Sequence, residues 1–110
     1  MPSYFGLAKL GRDAELRYTS TGEPVANLAL AFTYGRKGDD GKRPTQWVDA
    51  TIWGKRAEAM SPYLTKGTSV SVIVEEAHIE TYKKRDGSEG FKLVGRVSAL
   101  DFAGSPQTTV

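Results

Sequence analysis

The sequence predicts an all-β fold with one short helix, arranged as a small barrel of five strands. Three observations lead there. Apolar and polar residues alternate along most of the chain, as they do in half-buried strands. Gly-rich turns interrupt that alternation. One stretch only, between the third and fourth strands, has helical spacing.

The first strand is expected over Tyr4 to Leu10, with Gly11 and the run Arg12-Asp13-Ala14-Glu15 ending or bending it. Thr19-Ser20-Thr21-Gly22-Glu23-Pro24 then reads as a turn, because Gly and Pro punctuate it. Val25 to Tyr34 is the second strand, and Ala26, Leu28, Leu30 and Phe32 share one of its faces. Gly35 to Gln46 has no apolar residue to bury and is a loop. Trp47 to Trp53 is the third strand, ended by Gly54. Lys55 to Leu64 follows as a short helix with Ala57, Met60 and Leu64 on one side. Pro62 lies inside it and shortens or kinks it, since a proline ring clashes with the preceding turn. Lys66-Gly67 closes it. Ser69 to Tyr82 is a long fourth strand, Asp86-Gly87 a hairpin turn, and Phe91 to Phe102 the fifth strand. Three antiparallel strands, a helix and two more strands suit a five-stranded Greek-key barrel, the OB-fold. A small β-sandwich carrying one helix has the same order.

With 110 residues the chain has the size of one domain, expected over residues 1–103, followed by a flexible tail over 104–110. No apolar run is long enough to span a bilayer, and Met1 to Leu10 is not built like a signal peptide. The chain has no cysteine, which excludes disulfides and thiolate metal sites and fits a cytoplasmic location. A net charge of +2 is too small to indicate a nucleic-acid partner by itself. Where the charge lies carries more information.

The third strand is the informative one. Val48, Ala50 and Ile52 share one face, and Trp47, Asp49, Thr51 and Trp53 share the other. The first set suits a core. The second does not, since it would bury Asp49 unpaired. Trp47 and Trp53 are therefore expected to face outward, and tryptophans that large need a partner to cover them. Bases, another protein or another subunit can cover them, and the flanking charge favours bases. Arg36, Lys37, Lys42 and Arg43 precede the strand, Lys55 and Arg56 follow it, and Lys83, Lys84 and Arg85 lie in the turn of the last hairpin. Tyr34 and Tyr82 flank these basic loops and are candidates for further stacking. Bases stack on aromatic rings whatever the sequence, while Lys and Arg contact phosphates.

Several segments carry a resemblance. Leu10 through Tyr18, Gly22 through Ala31, Trp47 through Glu58 and Tyr63 through Gly67 resemble, in order and spacing, the bacterial single-stranded DNA-binding proteins. The resemblance runs from about Gly6 to about Phe102. It implies an OB-fold that binds and protects single-stranded DNA in replication, recombination or repair, commonly as a homotetramer. It places Trp47, Trp53 and Tyr82 at stacking positions, Tyr34 near another, and Arg17 and Lys55 at basic positions beside the DNA. The chain departs from the family in three places. Asp49 stands where well-known members have arginine. Glu76, His78, Glu80 and Tyr82 share a strand face that is less basic than the family's. Val48 replaces a histidine common near the subunit contact. The family's Gly/Pro/Gln-rich linker and acidic tip are not in this sequence, although Ser105-Pro106-Gln107 resembles the start of such a linker. A short family member or a core domain is expected, with replication or repair partners not assumed.

No enzyme chemistry is visible. His78 is the only histidine, no phosphate-cradling Gly-rich motif occurs, and Asp39-Asp40 lies in a solvated Gly-rich loop, so no metal or cofactor is expected. Two further readings stay open: a protein-interaction module of the primosome type, and a single-stranded RNA binder.

Overall fold

A computed structural model describes residues 2–103. The expected tail, residues 104–110, lies outside the described residues, as does the linker-like segment within it. The elements are β1 (Ser3–Leu10), β2 (Glu15–Tyr18), β3 (Pro24–Thr33), β4 (Thr45–Trp53), α1 (Lys55–Met60), a 3₁₀ turn (Ser61–Tyr63), β5 (Ser69–Lys83) and β6 (Glu89–Phe102).

The strands form one sheet in the order β1-β5-β6-β4-β3-β2, and a β1–β3 pairing at Lys9↔Ala31 and Leu10↔Leu30 closes it into the OB-fold barrel. β2 continues β1 after a bend and extends the ladder along β3, from Glu15↔Asn27 to Tyr18↔Pro24. The bend is held by the Gly11 amide on the Ala29 carbonyl at 2.9 Å and the Ala14 amide on the Leu64 carbonyl at 2.8 Å. All pairings are antiparallel except one. β4 and β6 run parallel, Val48↔Leu93 through Thr51↔Arg96, which corrects the expectation of a wholly antiparallel barrel. Greek-key closure brings these two strands together through a long connection, so nothing forces them to run opposite ways.

The core is the inward face of every strand except β2, all of whose residues are exposed. Ala26, Leu28, Leu30 and Phe32 of β3 are buried, as are Val48, Ala50 and Ile52 of β4. Both sets follow the alternation expected of them. Val70, Val72 and Val74 of β5 and Val97 of β6 complete the lining. Ala57 and Leu64 bring the helical segment against this core. Tyr4 packs edge-on to Phe32, ring centroids 4.8 Å apart. The helix is shorter than its spacing implies. It ends at Met60, and Pro62 sits in the 3₁₀ turn that follows, where its missing N–H costs little.

Candidate nucleic-acid interface

β4 positions the candidate site. With Val48, Ala50 and Ile52 inward, its outward face carries Trp47, Asp49, Thr51 and Trp53, and the two indoles are 51 % and 40 % exposed. Each has a local support. Trp53 donates its indole N–H to Thr51 Oγ1 at 3.1 Å. Trp47 lies against Gly11, where a Cβ would fall 2.4 Å from the ring.

β5 supplies a second wall through a β-bulge. Its register with β6 shifts between Glu75↔Arg96 and His78↔Val94, one extra residue on the β5 side. The extra residue reverses which side chains point inward. Val70, Val72 and Val74 are buried before it, whereas His78, Glu80 and Tyr82 are exposed after it. Glu76, inside the bulge, has a φ of 57°, the left-handed region that costs a non-glycine residue energy. Tyr82 lies on Gly90 of β6, where a Cβ would meet its ring at 2.4 Å.

These walls enclose two adjoining grooves. One, of about 350 Å³, runs from Trp53 past Asn27, Thr51 and Arg96 to His78. The other, of about 570 Å³, lies between Trp47 and Gln46 on one side and Tyr82 and Phe91 on the other. Asp49 and Lys92 line both. The carboxylates that depart from the family pattern are paired here. Asp49 faces Lys92 at 3.8 Å, Glu76 faces Arg96 at 3.5 Å, and Glu80 faces His78 at 3.2 Å. Exposed pairs of this kind contribute roughly 0–1 kcal/mol, so a phosphate can replace either carboxylate opposite Lys92 or Arg96.

The sequence of residues 4–102 matches the model of the single-strand binding protein family. The chain belongs to this family. It is 32 % identical over 99 residues to single-stranded DNA-binding protein 1 of Synechocystis, covering 90 % of this chain and 80 % of that one. It is 39 % identical to the single-stranded DNA-binding protein of Chlamydia pneumoniae, covering 86 % of this chain and 56 % of the relative. The Halalkalibacterium halodurans protein of the same name is 36 % identical, with 79 % and 49 % covered. The chain thus spans most of the first relative and about half of the other two.

As a member of this family the chain brings some expected residues together and leaves others apart. Trp47, Trp53 and Tyr82 line the grooves, whereas Tyr34 does not. Tyr34 is exposed at the base of the loop after β3, its amide bonded to the Pro44 carbonyl at 3.0 Å. Arg36, Lys37, Lys42 and Arg43 are exposed on that loop, and Lys83, Lys84 and Arg85 on the β5–β6 turn. Both segments lie at the Trp47 end, because the loop leads into Thr45 while β6 begins beside β4. Arg17 and Lys55 lie at the Trp53 end. The Arg17 Nε–H donates to Asn27 Oδ1 at 2.9 Å, and Lys55 opens the helix after Trp53 and Gly54.

Arg56, read as part of the flanking charge, instead donates to the carbonyls of Ser98 and Val97 at 3.0 and 3.1 Å. Asp40 accepts the Lys42 amide at 2.9 Å, which makes it a turn former. Val48 is fully buried in the barrel and so presents nothing to a neighbouring subunit. Lys92, Arg96, Asn27 and Phe91 were not read from the sequence. Counting outward from Val97 on β6 finds Lys92 and Arg96, which share the outward face with Val94. No helix of the described residues is long and apolar enough to cross a membrane.

Proposed function

We propose that this chain binds single-stranded DNA with little regard to sequence and protects it during replication, recombination or repair. The observation that carries the reading is the outward pair Trp47 and Trp53 on one strand, each lining one of two adjoining grooves, with cations at both ends. Bases stack on Trp47, Trp53 and Tyr82. Arg17 and Lys55 hold phosphates at one end; Arg36, Lys37, Lys42, Arg43, Lys83, Lys84 and Arg85 hold them at the other. Tyr34 contributes at the base of its loop. The names of the relatives support this ligand, and a binding protein of this kind is not an enzyme. The chain also self-associates, through the open edge and apolar outer face of β1.

The test is anisotropy of a labelled oligo-dT, because removing both tryptophans leaves no indole to quench. Wild-type affinity falls as salt rises, with a slope of about −0.7 per phosphate contact. Trp47→Ala and Trp53→Ala each weaken binding by roughly 1–3 kcal/mol, the per-base value general to single-strand binders. A double variant that binds as well as wild type rules out stacking.

A further inference from the structure

We infer that Lys92 and Arg96 are phosphate-binding residues within the grooves, and that Asp49 and Glu76 hold them in the free protein and give way to the strand. This rests on the reading that the chain binds single-stranded DNA.

Register puts both cations where a bound strand has to pass. Val97 is buried and Leu93 packs against the core, so Lys92, Val94 and Arg96 take the outward face of β6. Arg96 lies opposite Thr51, two residues from Trp53. Leu93 lies opposite Val48 in the parallel ladder, which brings Lys92 level with Trp47. On its other side Lys92 faces Glu80 of β5. β6 runs between β4 and β5 in the sheet, so a strand stacked on Trp47, Trp53 and Tyr82 crosses its outward face. Four residues separate the two cations, about 13 Å at roughly 3.3 Å per residue, far enough apart to hold different phosphates. Among the described residues they are the only lysine and arginine that line either groove. The other candidate cations lie at the ends.

Lys92 and Arg96 are also the only lysine and arginine among the described residues that lie within ion-pair distance of a carboxylate. Asp49 reaches in from β4 and Glu76 from the bulge of β5, so the two acids flank β6 from opposite sides. Neither contact is tight. Separations of 3.8 and 3.5 Å exceed the roughly 2.7–2.9 Å of a charge-assisted hydrogen bond, and the four side chains are between 43 % and 51 % exposed. Water reaches both pairs, so exchanging a carboxylate for a phosphate costs little. A displaced carboxylate stays beside the phosphate that replaced it, as a like charge. The acids therefore oppose binding twice, by holding the cation beforehand and by repelling the strand afterwards. Removing an acid should tighten binding, which a purely structural ion pair does not predict.

The experiment titrates a labelled oligo-dT across a range of salt at one fixed pH. It compares wild type with Lys92→Gln, Arg96→Gln, Lys92→Arg, Asp49→Asn and Glu76→Gln, and with Asp49→Asn and Glu76→Gln each combined with loss of its partner cation. Each lost cation should weaken binding severalfold and make the salt slope shallower by about 0.7, the share of one phosphate on a single strand. Lys92→Arg keeps the charge and should keep the wild-type slope. Asp49→Asn and Glu76→Gln should bind severalfold more tightly than wild type at low salt, and the gain should shrink as salt rises. A gain in affinity cannot come from a misfolded protein. The gain should be smaller where the partner cation is already gone, because no pair is left to break. Unchanged slopes in both cation variants overturn the inference. So do amide variants that bind no tighter than wild type, or gains of equal size with and without the partner cation. A wild type that does not bind the oligonucleotide overturns the broader reading as well.

Discussion

His78 faces two acceptors at once. Nδ1 is 2.6 Å from the Glu76 carbonyl oxygen and Nε2 is 3.2 Å from Glu80 Oε2. Only the protonated ring can donate to both. The hydrogen bond to the Glu76 backbone, followed by that to the Glu80 side chain, raises its pKa above the ordinary value of about 6.5. The surrounding groups are of both signs: Glu76 and Glu80 on β5, Asp49 on β4, and Lys92 and Arg96 on β6. A raised folded-state pKa contributes stability that is complete below the unfolded value and is lost as pH rises through the folded one. NMR titration of this sole histidine should therefore show a midpoint above 6.5, and the stability advantage of wild type over His78→Gln should shrink as pH rises past that midpoint. A midpoint at or below 6.5 contradicts the two hydrogen bonds. At this scale the sequence showed the tryptophans, because alternation alone separates Trp47 and Trp53 from Val48, Ala50 and Ile52. It did not show the ion pairs. Asp49, Glu76 and Glu80 read as interruptions of a basic surface; the partners of Asp49 and Glu76 come from β6, whose register no local pattern specifies, while Glu80 pairs with His78 on its own strand.

Among the elements, β5 shows why register matters. Without its bulge, Val70, Val72 and Val74 would share a face with His78, Glu80 and Tyr82, and either the core or the groove would receive the wrong set. The facing residue on β6 is Gly95, where a Cβ would lie 2.4 Å from Val74 Cγ1 and 2.8 Å from the Glu75 carbonyl oxygen. One contact is a core side chain and the other is backbone, so neither gives way easily. Gly95→Ala should cost about 1–3 kcal/mol, the usual penalty of overpacking. Urea unfolding would measure it, and an unchanged midpoint would mean that the bulge tolerates a methyl group. All five expected strands appear within a residue or two of where alternation places them, and a sixth, β2, lies between the first two. β2 was hidden for a physical reason: all four of its residues are exposed, so it has no buried face, and Leu16 and Tyr18 alone make too short an alternation to mark a strand. The helix was overdrawn because Ala57, Met60 and Leu64 keep helical spacing across Pro62. Parallel pairing of β4 with β6 is a property of closure, and neither strand carries a local sign of it.

Over the whole molecule, polar and apolar surfaces divide between two regions. The groove lies across β4, β5 and β6, whereas β1 presents Phe5 and Leu7, 73 % and 69 % exposed, with Ile73 of β5 opposite Phe5. β1 pairs with β5 over Ser3 to Lys9 but with β3 only at Lys9 and Leu10. Most of its other edge is open. An open edge beside an apolar face is a template for another strand, and this edge has neither the proline nor the bulge that would blunt it. The simplest closed use of such a patch is a two-fold contact with a second copy, in which the same residues meet their own equivalents. Sedimentation velocity should then show wild type heavier than the 12.0 kDa of one chain. Phe5→Lys with Leu7→Lys should shift it toward the monomer, since each new charge would face its own copy across the axis. Both residues point out of the barrel and lie outside its core, so the variant should keep its fold. A wild type that sediments as a monomer, or a double variant that assembles unchanged, would remove β1 as the contact. Neither residue lines the groove, so affinity per chain for an oligonucleotide short enough to occupy one groove should be nearly the same in both forms. A longer oligonucleotide should separate them, because an assembly joins several grooves on one strand and raises the effective concentration of the second after the first has bound.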